Sequence, residues 1–136
     1  MIWGIGIDIV KVERIQKAIE RSNGRFQERV FTEKEIEYCR RHRNPNINFA
    51  GRFAAKEAFF KCLGVGQGAG IRWQEIEVES QKGGSPRLLI TGSMKKTLDE
   101  FGGGKVFLSI SHTDEYAVAN VVVIKGSQDQ TSSQRP

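Results

Sequence analysis

Long apolar runs are missing from this 136-residue chain. The longest, Ala117 to Ile124, is interrupted by Asn120 and falls far short of the roughly 20 residues a membrane-spanning helix needs, so no membrane partner is expected. The opening Met1-Ile2-Trp3-Gly4 passes straight into a strand pattern with no charged leader, apolar stretch or cleavage site, and no secretory signal is expected. Cysteine is scarce as well. Cys39 and Cys62 lie in helical contexts without metal-type spacing, which reads as two reduced thiols in a cytoplasmic protein rather than a disulfide framework or a zinc module. No internal repeat of solenoid period is present.

What remains is a globular composition. Apolar residues make up 38% and charged residues 27% of the chain, enough for one domain with one core. The net charge of +5 favours acidic partners: nucleic acid, a phosphate-bearing cofactor or an acidic protein. Charge alone does not choose among them.

Residues 2 to 10 alternate as a strand. Val12 to Ser22 carries Val12, Ile15, Ala18 and Ile19 as an apolar helical stripe, and Phe26 to Phe31 continues as a short helical turn. Thr32 with Glu35 forms a capping-box signature, opening a helix that stops before Asn44-Pro45. The next helix runs from about Asn48 to Leu63, with Phe49, Phe53, Phe60 and the alanines on one broad face, and leads into a glycine-rich loop from Gly64 to Gly70. Trp73 to Glu79 and Arg87 to Thr91 read as strands around a turn at Lys82 to Pro86. Ser93 caps a short helix through Phe101, which Gly102 to Gly104 break. Val106 to Ser111 and Tyr116 to Ile124 form a final hairpin turning at His112 to Glu115. The pattern is an α+β domain over residues 1–125, followed by a Ser/Gln-rich tail, 126–136, expected to be disordered.

Four groups of residues could carry chemistry. On the first strand, Ile5, Ile7 and Ile9 point one way, and Gly4, Gly6, Asp8 and Val10 the other. A carboxylate beside two absent side chains makes an open notch, and an Asp in an apolar strand needs a partner, either amides or a metal. On the long helix, Glu57 and Lys61 are four apart and adjoin, with Arg52 about one turn before Lys56; an ordinary surface ion pair is the alternative. Ser109 and Ser111 share a strand face, and His112 and Thr113 reach the hairpin tip, where they could grip a phosphate or decorate a polar turn. Arg14, Lys17, Arg21 and Arg25 fall at helical spacing in one stripe, either solvated or a docking surface for an acidic helix.

Three blocks occur in order: Gly4-Ile-Gly-Ile-Asp-Ile-Val10, Phe49-Ala-Gly-Arg-Phe-Ala-Ala-Lys-Glu-Ala-Phe-Phe-Lys61 and Leu108-Ser-Ile-Ser-His-Thr113. Together they resemble the holo-acyl-carrier-protein synthase family, the small phosphopantetheinyl transferases of fatty acid biosynthesis. The resemblance spans residues 1 to 124. It implies a 4'-phosphopantetheinyl transferase-like fold, an antiparallel sheet packed with a long central helix, assembled as a homotrimer with active sites between subunits. It further implies transfer of 4'-phosphopantetheine from coenzyme A to a serine of apo acyl carrier protein. Asp8 and Glu57 would bind Mg²⁺ and Lys61 would neutralise phosphate charge, these three forming the catalytic group. Arg52 and Lys61 would assist at coenzyme A, whose 3'-phosphate His112, Ser111 and Thr113 would hold from the neighbouring subunit. Arg14, Arg21 and Arg25 would dock the acidic carrier. The rival readings are a basic nucleic-acid-binding module and another metal-dependent phosphotransferase. The phenylalanines cluster at core-like helical spacing, against the first, so no nucleic acid is expected.

Overall fold

The computed structural model describes residues 1–64 and 70–127; most of the glycine-rich loop and of the tail expected to be disordered lie outside the described residues. Strand β1 (Ile2–Lys11) is followed by helices α1 (Val12–Ser22), α2 (Arg25–Val30), α3 (Glu33–Arg40) and α4 (Pro45–Cys62). A 3₁₀ turn (Trp73–Glu75) leads to β2 (Ile76–Glu79), β3 (Arg87–Ile90), α5 (Gly92–Glu100), β4 (Gly103–His112) and β5 (Tyr116–Lys125). The main sheet is antiparallel with order β1-β5-β4, and β2 pairs with β3 separately. Its register places Asp8 opposite Ala119 and Ala119 opposite Ile110, so these three side chains project from the same face.

That face carries α4, which crosses it obliquely. A Cβ at Gly51 would lie 3.1 Å from Ile110 Cγ2 on β4. At the other end the helix backbone rests on β1. A Cβ at Gly6 would lie 2.0 Å from the Ala58 carbonyl oxygen, and one at Gly4 would lie 3.1 Å from that of Cys62. The two glycines are thus required by close approach of another backbone. Helix α4 is buried almost all round, from Ile47 to Cys62, rather than on the single broad face expected. Phe59 is fully buried, and Phe53 stacks on Trp73 at 5.3 Å.

A second anchor holds the far side of α4. Lys56 Nζ lies 2.7 Å from Glu35 Oε1 and donates to the Trp73 carbonyl at 3.0 Å. Glu35 also accepts from Thr32 N, closing the expected capping box, and from Val78 N at 2.8 Å. Burial pulls the Lys56 ammonium below the ordinary lysine range, and the Glu35 charge opposes it. An ion pair this buried stays in place because every charged atom has partners.

Several boundaries differ from the sequence reading. Pro45, read as a stop, opens α4 at its first turn, where its missing N–H costs nothing. Trp73 to Glu75 form a 3₁₀ turn instead of strand. Thr91, not Ser93, stands at the N-cap of α5 with no side-chain cap bond; Ser93 Oγ donates instead to Glu75 Oε1 at 2.7 Å, and the same carboxylate takes Met94 N at 3.0 Å. The glycines after α5 begin β4 rather than only breaking the helix, with a bulge between Gly103 and Val106.

The β1–α4 contact makes a direct prediction. Gly6→Ala should destabilise the fold by at least about 3 kcal/mol, because backbone rather than a yielding side chain meets the new methyl. Gly4→Ala should cost less, about 1 kcal/mol. Urea unfolding of both variants tests the order; equal midpoints would show that the strand and helix are not in backbone contact.

Candidate active site

The helix-facing row of β1 and the last turns of α4 bring Asp8, Glu57 and Lys61 together. Lys61 passes over its helical neighbour Glu57 and pairs with Asp8, Nζ to Oδ1 at 2.8 Å, while also donating to the Ile7 carbonyl at 3.2 Å. The Glu57–Lys61 surface ion pair that stood as the alternative does not form; a longer-range pair takes its place, and Glu57 makes no ion pair among the described residues. Burial pushes the Glu57 carboxyl above the usual range, the Asp8 charge pushes it further, and Lys61 and Arg14 pull it back. Two carboxylates thus share a half-buried notch with two cations nearby.

This donor set fits a hard divalent cation. Mg²⁺ is held by one or two carboxylates, its other positions being filled by water and substrate phosphates. The mutual repulsion that raises Glu57 is the field a cation would relieve. No cluster of three or more His, Cys, Asp or Glu suited to a metal occurs among the described residues, so an ion bound in this notch would take two carboxylates from the chain.

The other expected residues lie elsewhere in one chain. Arg52 is nine positions before Lys61, about 180° away around the helix. Its guanidinium is buried, 3.9 Å from the Tyr38 ring centroid, with Nη2 donating to Ser80 Oγ at 2.6 Å and Nε without a partner. Ser111 sits opposite Val118, which sits opposite Ile9, hence on the sheet face away from α4 and two strands, about 10 Å, from β1. His112 ends β4 and is exposed. Thr113 Oγ1 closes the following turn by accepting from Tyr116 N at 3.0 Å. Asp8 and the Ser-His segment are not brought together within the chain.

On the basic stripe, Arg14, Arg21 and Arg25 are all exposed. The single stripe is broken, however. Helix α1 ends at Ser22, Asn23 and Gly24 take left-handed conformations, and Arg25 opens α2. Lys17 pairs with Glu13 within α1. Both cysteines are buried free thiols, Cys39 pushed up to about 12 and Cys62 to about 11 by burial, and neither is a nucleophile.

Sequence reasoning missed the Lys56–Glu35 pair and the Arg52–Tyr38–Ser80 contact. The available signal was a basic residue whose helical neighbours three to four residues away include Phe53, Phe59 and Phe60, with Arg52 the one polar exception.

The model of the 4'-phosphopantetheinyl transferase superfamily matches residues 4–121. A holo-[acyl-carrier-protein] synthase of Koribacter versatilis is 44% identical over 123 residues, covering 90% of this chain and 98% of its own length. Among solved structures, holo-[acyl-carrier-protein] synthase from Neisseria meningitidis superposes with a TM-score of 0.83 at 34% identity, over 92% of this chain and 100% of that one. The enzyme of Bacillus anthracis, solved in complex with CoA (3',5'-ADP), does so with a TM-score of 0.74 at 38% identity, over 93% and 99%.

The shared field between the carboxylates is measurable. Asp8→Asn should lower the Glu57 pKa without restoring the ordinary value, since burial is the larger cause, and Lys61→Met should raise it further. A ¹³C carboxyl NMR titration reads both, and an unmoved Glu57 in Asp8→Asn would refute the pairing. The sign for stability follows. With Glu57 raised, the folded chain keeps its proton after the unfolded chain has lost it, so stability falls as pH rises through that interval. Glu57→Gln should therefore raise the thermal midpoint at neutral pH.

Proposed function

This chain belongs to the 4'-phosphopantetheinyl transferase superfamily, and we propose that it is a holo-[acyl-carrier-protein] synthase, moving the 4'-phosphopantetheine group of coenzyme A to a serine of apo acyl carrier protein and releasing 3',5'-ADP. The observation that carries the reading is the Asp8–Glu57–Lys61 cluster, an anionic notch with a half-exposed cation at its lip, in a chain of this family.

In this reading Asp8 and Glu57 hold Mg²⁺. When bound, the ion polarises the diphosphate of coenzyme A and offsets the charge that develops there. The carrier serine oxygen attacks the β-phosphorus, the bond from that phosphorus to the bridging oxygen breaks, and 3',5'-ADP leaves with the electron pair. Lys61 neutralises charge developing on the 5'-phosphate of the departing 3',5'-ADP. The serine loses its proton on attack. We assign that proton to Glu57, the half-buried carboxylate of the same notch. The protein's main work is positioning.

The remaining residues take their parts in a homotrimer. Ile5, Ile7 and Ile9 are 62%, 61% and 64% exposed, and Phe107 beside them on the sheet is 48% exposed. An apolar face of this kind calls for a protein partner, and a second copy of the chain supplies it. Ser111 projects from that same face, so a neighbouring copy would bring Ser111, His112 and Thr113 to the 3'-phosphate. Arg52, buried beside Tyr38 with a spare donor, assists at the cofactor. Arg14, Arg21 and Arg25 meet the acidic carrier, Arg14 from a place close enough for its charge to act on Glu57. No described helix is long and apolar enough to cross a membrane, and two buried free thiols suit a reducing cytoplasm. A nucleic-acid reading is not favoured: Phe31, Phe49, Phe53, Phe59 and Phe60 are buried rather than arrayed for base stacking.

Incubating the protein with apo carrier, coenzyme A and Mg²⁺, then weighing the carrier, should show addition of one phosphopantetheine group. No gain with any divalent metal would end the transferase reading. Asp8→Ala and Glu57→Ala should each lose at least about 100-fold in turnover while remaining folded. The shared site has its own test. Asp8→Ala and His112→Ala chains, each inactive alone, should recover activity when mixed and reassembled, at up to roughly a quarter of the sites. Recovery at the level of either parent would place each site within one subunit.

A further inference from the structure

Lys61 is seated on a carboxylate rather than bordering one. Its ammonium lies 2.8 Å from Asp8 Oδ1 and 3.2 Å from the Ile7 carbonyl oxygen. The Asp8 side chain is only 14% exposed, so the contact is sheltered on the strand side, while Lys61 is 53% exposed and its stem is free to swing. The pairing is also selective. Glu57, one helical turn before Lys61, is the neighbour that helix geometry offers, and the ammonium goes to the strand instead.

A divalent cation held by Asp8 and Glu57 would need the carboxylate that Lys61 occupies. It would also stand within a few ångströms of the ammonium, and repulsion between the two cations is strong where water is partly excluded. We infer that Lys61 is an internal counter-ion that competes with the divalent cation for Asp8, and that the diphosphate of coenzyme A releases it by offering its ammonium phosphate oxygens. This rests on the proposed metal role of Asp8 and Glu57. A lysine is well suited to the exchange: it is a compact charge with three donors on a flexible stem, whereas arginine would lock onto the carboxylate through its planar fork. One side chain then serves two partners in turn, Asp8 in the resting protein and the diphosphate in the loaded one. Cation and cofactor become coupled ligands, each raising the affinity of the other by the same factor. The resting chain binds free metal poorly and fills both positions together.

Direct binding separates the possibilities. Mn²⁺ binding to the full chain, followed by the EPR signal of the free ion, is compared for wild type, Lys61→Met and Asp8→Asn, each with and without saturating coenzyme A. Lys61→Gln repeats the measurement with a shorter neutral side chain. With Mn²⁺ alone, both Lys61 variants should bind about tenfold tighter than wild type or more. Coenzyme A should strengthen Mn²⁺ binding by a larger factor in wild type than in Lys61→Met. Asp8→Asn should weaken binding throughout. Lys61 variants that bind Mn²⁺ no tighter than wild type, with Asp8→Asn still weakening it, overturn the competition and leave the metal role standing. Binding indifferent to Asp8→Asn in every state removes the metal role, and the inference with it.

Discussion

The contact between the backbones of β1 and α4 is the constraint on which the rest of the structure depends. Gly6 lies under the Ala58 carbonyl and Gly4 under that of Cys62, so helix and strand run in opposite directions in backbone contact, with only the Cys62 side chain lodged beside the two glycines. This fixes both the rotation of α4 about its axis and its height over the sheet. With Ala58 pressed onto Gly6, Glu57 is turned toward the edge where Asp8 emerges. Lys61, a turn further on, leans back toward the helix N-terminus as helical side chains do, which carries its ammonium past Glu57 to Asp8. A methyl group at Gly6 would lift the helix and draw Glu57 and Lys61 away from Asp8.

Holding the three groups there costs stability. Burial and the nearby Asp8 charge both disfavour ionised Glu57, and an unpaired carboxylate in a half-buried notch is a poor choice for a fold that needs only to be stable. The opposing side of the same helix shows the stable alternative. Lys56 and Glu35 are both fully buried, and each finds more than one hydrogen-bond partner. Helix α4 thus carries two lysines five residues apart with opposite properties. Lys56 is pinned between α3 and β2 and sets the position of the helix. Lys61 is about half exposed and paired with Asp8 at the edge of the notch, the place from which the proposed exchange of partners would occur.

Much of this was legible in the sequence, for identifiable reasons. Alternation in β1 and the glycines facing Asp8 gave both the strand and its notch, because period-two patterning and the lack of a side chain are local facts. The capping box at Thr32 and Glu35 formed as read. Periodicity failed where burial was nearly complete: α4 is buried almost all round, charged residues included, so no stripe marked its true start, and Pro45 read as a terminator when it was an initiator. The Lys61–Asp8 pair was hidden for a different reason. Spacing along a helix predicts neighbours on that helix, whereas the partner chosen lies 53 positions away, set by tertiary packing. Glu75 capping α5 in place of Ser93 is a case of the same kind: a distant carboxylate outcompeted the local hydroxyl.

The sheet carries the same logic to its other face. Strict alternation in β1 that turns Gly6 and Asp8 toward the helix must turn Ile5, Ile7 and Ile9 away from it, and the described residues leave them more than half exposed. On β4 the parity that packs Leu108 and Ile110 inward presents Ser109 and Ser111 outward, among those isoleucines. A polar segment suited to phosphate therefore shares a surface with the apolar residues that most need a partner. Under the proposed assembly, burying the isoleucines and delivering the hydroxyls to a neighbour's carboxylates are a single event. The register of three strands would then decide oligomerisation and site completion together: slipping β4 by one residue would bury the serines against α4 and expose Leu108 and Ile110, undoing both at once.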